Sequence, residues 1–193
     1  LSYFSAAHRQ SRQSDTTSRA LTALGSAFVV ADLETTGLSA HACEILEFAA
    51  VRVDTEGQIA SEYSQLVRIN GRVPSFIARL TGISQQEVIR DGKPIDEAFR
   101  AFCDFVGTAP VFFHNASFDT RFLRATASRC GQAFDNDTHC TLLLARRAWP
   151  ELRSHKLGML AEHLGAATPT HRALADVRAT VAVALAARAR LGH

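Results

Sequence analysis

The chain has no run of about 18 apolar residues that could cross a bilayer, which sets aside a membrane-spanning protein. Its four cysteines, Cys43, Cys103, Cys130 and Cys140, include no C-x-x-C pair and lack the close spacing of a disulfide framework. Reduced thiols and a cytoplasmic setting are therefore expected. Cys130, His139, Cys140 and His155 match no usual zinc spacing, so no zinc site is expected. No internal repeat or low-complexity block is present beyond an Ala-rich final segment, and alanine there is simply a strong helix former. The first residues do not combine a charged start, an apolar middle and a small-residue cleavage site, as a secretory signal would. Methionine occurs once, at Met159; the initiator is missing, and a fragment or processed form is expected.

What is there is a chain of 193 residues, 47% hydrophobic and 21% charged, suited to one globular domain with a short extension. The net charge of +2 hides an asymmetry. Residues 1–120 carry 10 Lys/Arg against 14 Asp/Glu, a balance of −4, and residues 121–193 carry 11 against 5, a balance of +6. An acidic part able to hold metals and a basic part able to hold a polyanion suit a nucleic-acid substrate; a solvated helical surface is the plainer alternative.

Residues 1–26, rich in Ser, Thr, Gln, Arg and Ala, read as a linker or loosely docked extension, with Leu21 and Leu24 able to dock; residues 27–193 read as the folded domain. Ala27–Leu33 is a short apolar run with β-branched residues, the pattern of a central strand covered on both faces. Cys43–Val53 and Ile59–Ile69 are predicted as two further strands, joined by a hairpin turn at Asp54-Thr-Glu-Gly57. Ser84 and Glu87 have capping-box spacing, and Pro94 opens a helix with apolar positions Ile95, Ala98, Phe99, Phe102 and Val106. A short strand at Pro110–Phe113, a helix at Ser117–Arg129 stopped by Gly131, and a last strand containing Phe134 are expected next. Helices at 141–148, 156–164 and 172–190 complete an α/β mixed sheet that starts with an antiparallel hairpin and carries helices on both faces.

Asp32 and Glu34 lie two apart on the predicted central strand, so both carboxylates point to one face. Acids in an apolar strand are costly unless paired or coordinated, and the run from Phe28 to Leu38 offers no base. Asp119 follows in His114-Asn-Ala-Ser-Phe-Asp119, where Asn115, Ser117 and Asp119 also read as ordinary helix-capping residues. His171 and Asp176 close the set in His171-Arg-Ala-Leu-Ala-Asp176, the histidine on a loop and the aspartate in the first turns of the last helix. Converging carboxylates of this kind make a hard-oxygen site for two divalent cations, and a histidine beside it can exchange a proton near neutrality. Thr35-Thr36-Gly37 offers hydroxyls, N–H groups and a flexible glycine where a chain end could be gripped, although alone it is only a turn.

Six segments resemble, in order, the DEDDh (DnaQ-like) 3′→5′ exonucleases: Asp-Leu-Glu-Thr-Thr-Gly-Leu at 32–38, Glu-Ile-Leu-Glu-Phe-Ala-Ala-Val at 44–51, Leu-Thr-Gly-Ile at 80–83, His-Asn-Ala-Ser-Phe-Asp at 114–119, Ser-His-Lys-Leu at 154–157 and His-Arg-Ala-Leu-Ala-Asp at 171–176. The resemblance spans about residues 27–188 and implies a ribonuclease H-like fold. It also implies Asp32, Glu34, Asp119 and Asp176 as ligands of two Mg²⁺ or Mn²⁺ ions, with His171 as general base. Leu80, Thr81, Thr35, Thr36, Asn115 and Phe118, with Gly37 in the adjoining turn, would shape the pocket for the 3′-terminal nucleotide. Cys140 stands where many members carry an aspartate outside the catalytic five, and Thr81 where polymerase proofreading subunits carry a histidine.

The implied activity is stepwise hydrolysis from single-stranded or frayed 3′ ends, with release of nucleoside 5′-monophosphates and DNA favoured as substrate. RNA trimming or degradation of short oligoribonucleotides is the enzymatic alternative, and a nucleic-acid-binding module on the same scaffold the non-enzymatic one. A DNA polymerase or a second copy of the chain is the candidate partner.

Overall fold

The computed structural model describes residues 15–192. Within them a helix over residues 15–23 (α1) precedes three strands, β1 (Phe28–Thr35), β2 (Ile45–Val53) and β3 (Ile59–Leu66). Helices α2 (Ser75–Thr81), α3 (Gln85–Asp91) and α4 (Ile95–Val106) follow, then β4 (Val111–Phe113), α5 (Ser117–Cys130) and β5 (Thr138–Cys140). Helices α6 (Thr141–Ala148), α7 (Leu157–Leu164) and α8 (Ala173–Leu191) end the fold. The strands form one sheet in the order β3-β2-β1-β4-β5. The β1–β2 and β2–β3 pairs are antiparallel, whereas β4 runs parallel to β1 and β5 parallel to β4.

Local chemistry accounts for the boundaries. Asp54 Oδ1 accepts from the N–H groups of Glu56 (3.0 Å) and Gln58 (2.8 Å), which closes the β2–β3 turn. Ser84 and Glu87 form the expected reciprocal cap on α3. Gly131 ends α5 in the left-handed region at φ 63°, a conformation that penalises a Cβ. The last strand differs from the expectation. Phe134 lies in the loop before β5 and stacks on Phe102 at 6.1 Å, because its ring covers α4 while residues 138–140 make the ladder to β4. The strands also begin and end later and earlier than expected, at Ile45 and Leu66.

Side-chain alternation divides the core between the two sheet faces. Phe28 and Val30 of β1, with Ala49, Val51 and Val53 of β2, pack with residues of α1, α6, α7 and α8. Val29, Ala31 and Leu33 of β1, with Phe48 and Ala50 of β2, pack with residues of α4 and α5. Following the same alternation, Asp32, Glu34 and Glu47 fall on the α8 face, and Glu34 stands directly opposite Glu47 in the register.

The segment before residue 27 behaves differently from a linker over its described part. Ala20 and Leu24 are buried in the α8-side core, and Leu21 packs against it. The core therefore begins before the expected boundary; residues 1–14 of the expected extension lie outside the described residues. Cys43, Cys103, Cys130 and Cys140 are all free thiols, and no helix among the described residues is long and apolar enough to cross a membrane. Leu24→Ala is expected to destabilise the fold by about 2–5 kcal/mol, the usual range for a fully buried leucine, measured as a lower denaturant midpoint. An unchanged midpoint would show that this segment is not part of the core.

Candidate active site

Three elements deliver carboxylates to one place. Asp32 and Glu34 come from the end of β1, and Asp176 from the first turns of α8, the helix packed on that face. Their carboxylate oxygens lie within 4.8 Å of one another. Asp119 enters from the first turn of α5, which follows β4 at the same end of the parallel β1–β4 pair. It is only 1% exposed, and neither of its carboxylate oxygens has a hydrogen-bond partner. The capping role open to Asp119 in the sequence is thus not the one it adopts: no side chain caps α5.

The electrostatics follow from this crowding. Burial, then the neighbouring charges of Asp119, Asp176 and Glu47, push the Asp32 carboxyl well above its ordinary range. Glu34 is pushed up to about 9, first by burial and then by Asp32, Asp176 and Glu47, with Arg172 pulling the other way. Asp119 is also raised well above the usual range by burial; the backbone N–H groups of Asp119 and Leu33 oppose this without closing a hydrogen bond of ordinary geometry. Burial raises Asp176 too, partly offset by the N–H groups that face it. Such a set of groups is poised either to keep protons or to exchange them for cations. The donors are all hard oxygens, the type that suits Mg²⁺, Mn²⁺ or Ca²⁺.

His171 is exposed, on the loop before α8, with φ 57°, a left-handed conformation unusual for a residue with a side chain. Asp176 Oδ1 accepts from the backbone N–H groups of Thr170 (3.0 Å) and His171 (3.1 Å), so a cluster carboxylate also shapes the loop that carries the imidazole. His171, Asp176 and Asn115 line one groove of about 1350 Å³, together with Arg146, Arg153 and Lys156. His114 also lines it, and burial lowers its pKa, keeping the ring neutral. Its Nε2 lies 3.0 Å from the His155 carbonyl and its Nδ1 3.0 Å from the Thr141 hydroxyl, which also lies 3.3 Å from the Phe113 carbonyl, so these contacts tie one groove wall to β4.

Other expected contact residues are less available. The Thr35 hydroxyl donates to the Gly37 carbonyl (2.7 Å), and the Thr36 hydroxyl accepts from Glu44 N–H (2.9 Å). Gly37 packs against Cys43: a Cβ there would sit 2.8 Å from Cys43 Sγ, so that side chain would have to move. Thr81 is buried, its hydroxyl donating to the Ile77 carbonyl (3.0 Å) and accepting from Ile83 N–H (3.1 Å). Leu80 beside it is exposed, and Phe118 is half-buried against Phe122. None of Thr35, Thr36, Gly37, Leu80, Thr81 and Phe118 lines the groove that holds His171.

Sequence reasoning passed over Glu47, which is 1% exposed beside the cluster. The signal was present: a glutamate in an apolar strand, on the same face as Ala49 and Val51, carries the cost that marked Asp32 and Glu34. The basic groove wall from Arg146 to Lys156 was visible only as bulk charge in the second half.

The mixed five-stranded sheet with helices on both faces, with acids gathered where its parallel pair ends, has the ribonuclease H-like exonuclease fold. The chain belongs to the RNase T family of exonucleases, whose model matches residues 29–184, and exonucleases of this fold use divalent metal ions. It is 37% identical over 163 residues to the DNA polymerase III subunit epsilon of Aquifex aeolicus, covering 83% of this chain and 79% of that protein. It is also 37% identical over 158 residues to the PolC-type DNA polymerase III of Clostridium perfringens, covering 81% of this chain but only 11% of the polymerase. Among solved structures, exonuclease X in complex with 5′-overhanging duplex DNA superposes with TM-score 0.70 at 28% identity, covering 86% of this chain and 93% of that one. Exonuclease I of Escherichia coli in complex with single-stranded DNA superposes with TM-score 0.74 at 22% identity, covering 86% of this chain and 41% of that one, a likeness of fold.

The raised Glu34 carboxyl has a consequence for stability. Below pH 4.5, its ordinary value, the folded and unfolded states both hold the proton; between there and about 9 only the folded state does. This contribution to stability is therefore full at acid pH and is lost as the pH rises toward about 9. In EDTA, the denaturation midpoint of the wild type is expected to fall across this window more steeply than that of Glu34→Gln, and saturating Mn²⁺ is expected to remove the difference. Equal slopes in EDTA would contradict the crowding of charge at Glu34.

Proposed function

We propose that this chain is a 3′→5′ exonuclease that removes nucleotides stepwise from single-stranded or frayed DNA ends, using two divalent cations held by Asp32, Glu34, Asp119 and Asp176. Asp119 carries this reading. A carboxylate that is 1% exposed with both oxygens unpartnered is a group built to meet a cation, because burying an unpaired ionised acid costs several kcal/mol. Four ionised carboxylates bring a charge of about −4, which two divalent cations balance. Bound there, Mg²⁺ or Mn²⁺ would supply Lewis-acid polarisation of the scissile phosphate and neutralise the charge that builds on it.

The remaining work falls to the chain's own side chains. His171, exposed at the groove beside Asp176, takes the proton of the attacking water. Attack at phosphorus with departure of the 3′ oxygen releases a nucleoside 5′-monophosphate and leaves a shortened 3′ end. Asn115 offers an amide to the terminal nucleotide from the groove wall, while Phe118 and the exposed Leu80, which lie outside that groove, would meet its base only at the rim of the site. Thr35, Thr36 and Gly37 serve through the shape of their turn, and Thr81 through the α2–α3 junction that its hydroxyl holds. Arg146, Arg153 and Lys156 line the groove where a phosphate backbone would run.

DNA is favoured because the relatives are named as DNA polymerase III proteins and the neighbouring exonuclease X is held on duplex DNA. Those relatives also make a replicative polymerase the candidate partner. The filled set of four acids and a histidine supports hydrolysis over simple binding on the same scaffold.

The test is metal-dependent release from oligonucleotides labelled at either end. The wild type is expected to release mononucleotides from the 3′ end of DNA, faster than from RNA of the same sequence. Asp32→Ala and Asp176→Ala are expected to fall to the EDTA background, and His171→Ala to lose about 10²–10⁴-fold in kcat with binding retained. Binding without release, or full activity in an aspartate variant, would reject the assignment. For the groove, the double variant Arg153→Glu, Lys156→Glu is expected to raise KM at constant kcat and to flatten the salt dependence of KM. Unchanged KM and salt dependence would place the backbone elsewhere.

A further inference from the structure

We infer that Glu47 and Arg172 are positioning residues that hold His171 at the reaction centre; this rests on the reading of His171 as the proton acceptor. Glu47 is buried in β2, and both of its oxygens are used by the chain itself. Oε1 accepts from the Ser64 hydroxyl of β3 (2.8 Å) and from Arg172 Nη2 (3.5 Å). Oε2 accepts from the backbone N–H of Ala173 (3.3 Å), the first residue of α8. Arg172 reaches further, with Nη1 4.0 Å from Glu87 Oε1 on α3.

These contacts place Glu47 at an unfinished helix end. Arg172 occupies the N-cap position of α8 with extended backbone (φ −112°, ψ 125°), and its side chain makes no cap. The orphan N–H of Ala173 is met instead by a carboxylate from the sheet, which also faces the positive end of the helix dipole. Two residues before this anchor stands His171, at φ 57°. On its other side, Thr170 and His171 donate their N–H groups to Asp176 Oδ1. A non-glycine residue in the left-handed region is strained and persists only when its surroundings over-determine it. Here the loop is clamped before the imidazole by Asp176 and after it by Glu47 with Arg172. Glu47 lies among the cluster acids, yet its oxygens are already occupied, which gives it the work of an anchor and leaves cations to the other four.

The experiment is a double-mutant cycle on the full chain with 3′-labelled single-stranded DNA and saturating Mn²⁺. Arg172 is partly exposed, so Arg172→Ala is expected to keep the wild-type melting temperature and KM while kcat falls about 10–100-fold, the usual effect of losing a group that orients a functional side chain. Glu47→Gln is expected to lower kcat alike and, because it also disturbs buried hydrogen bonds, to melt at a lower temperature. In a His171→Ala background, Arg172→Ala is expected to cost nothing further, because the residue acts through the ring that is already gone. If the loss persists undiminished in that background, Arg172 serves the fold or the acid cluster, and the positioning role is overturned. Wild-type kcat in Arg172→Ala, with His171→Ala slow, overturns it while leaving the role of His171 intact. A full-rate His171→Ala overturns both.

Discussion

Mutual repulsion among acids that the fold forces together is the constraint around which this molecule is organised. Asp32, Glu34, Asp119 and Asp176 come from three separate stretches of chain; burial raises the pKa of all four, and the charge of neighbouring acids adds to it, for Asp176 that of Glu47. No base among the described residues neutralises Asp119, and Arg172 only moderates Glu34. Groups so placed weaken the fold when ionised and unmetallated, a cost that natural proteins keep where it serves chemistry. The apolar packing on both sheet faces must hold the cluster closed against that repulsion.

The sheet supplies the precision. Alternation along β1 and β2 assigns every second side chain to the α8 face, so one pattern buries Phe28 and Val30 and then presents Asp32 and Glu34. Because β1 and β4 run parallel, the turn into α5 leaves β4 where β1 delivers its acids, and Asp119 arrives there. Helix α8, packed on the same face, brings Asp176 and starts with the loop of His171. The groove alongside is walled by the loops around α6 and α7, whose basic residues give it the charge a polyanion needs.

Much of this was legible in the chain. The two-residue spacing of Asp32 and Glu34 in an apolar strand, with no base nearby, announced both the face and the cost of the pair. The hairpin, the capping box at Ser84 and the stop at Gly131 follow local rules, and local rules are readable. Phe134 was misread because an aromatic between turn residues looks like a strand until a ladder partner is known. Leu24 was open to docking, but a single leucine in a polar segment carries no periodicity, and only the tertiary fold shows the slot it fills. Asp119 had a plausible capping role, and its unpartnered burial is a property of the folded site alone. Glu47 could have been found by the argument applied to Asp32, but its contacts to Ala173 and Arg172 span the whole domain.

Anomalous scattering from crystals of the protein grown with Mn²⁺ addresses the central claim most directly. Manganese peaks bounded by the carboxylates of Asp32, Glu34, Asp119 and Asp176 are the result this account requires. A well-ordered site at saturating Mn²⁺ with no peak among those four side chains would contradict it.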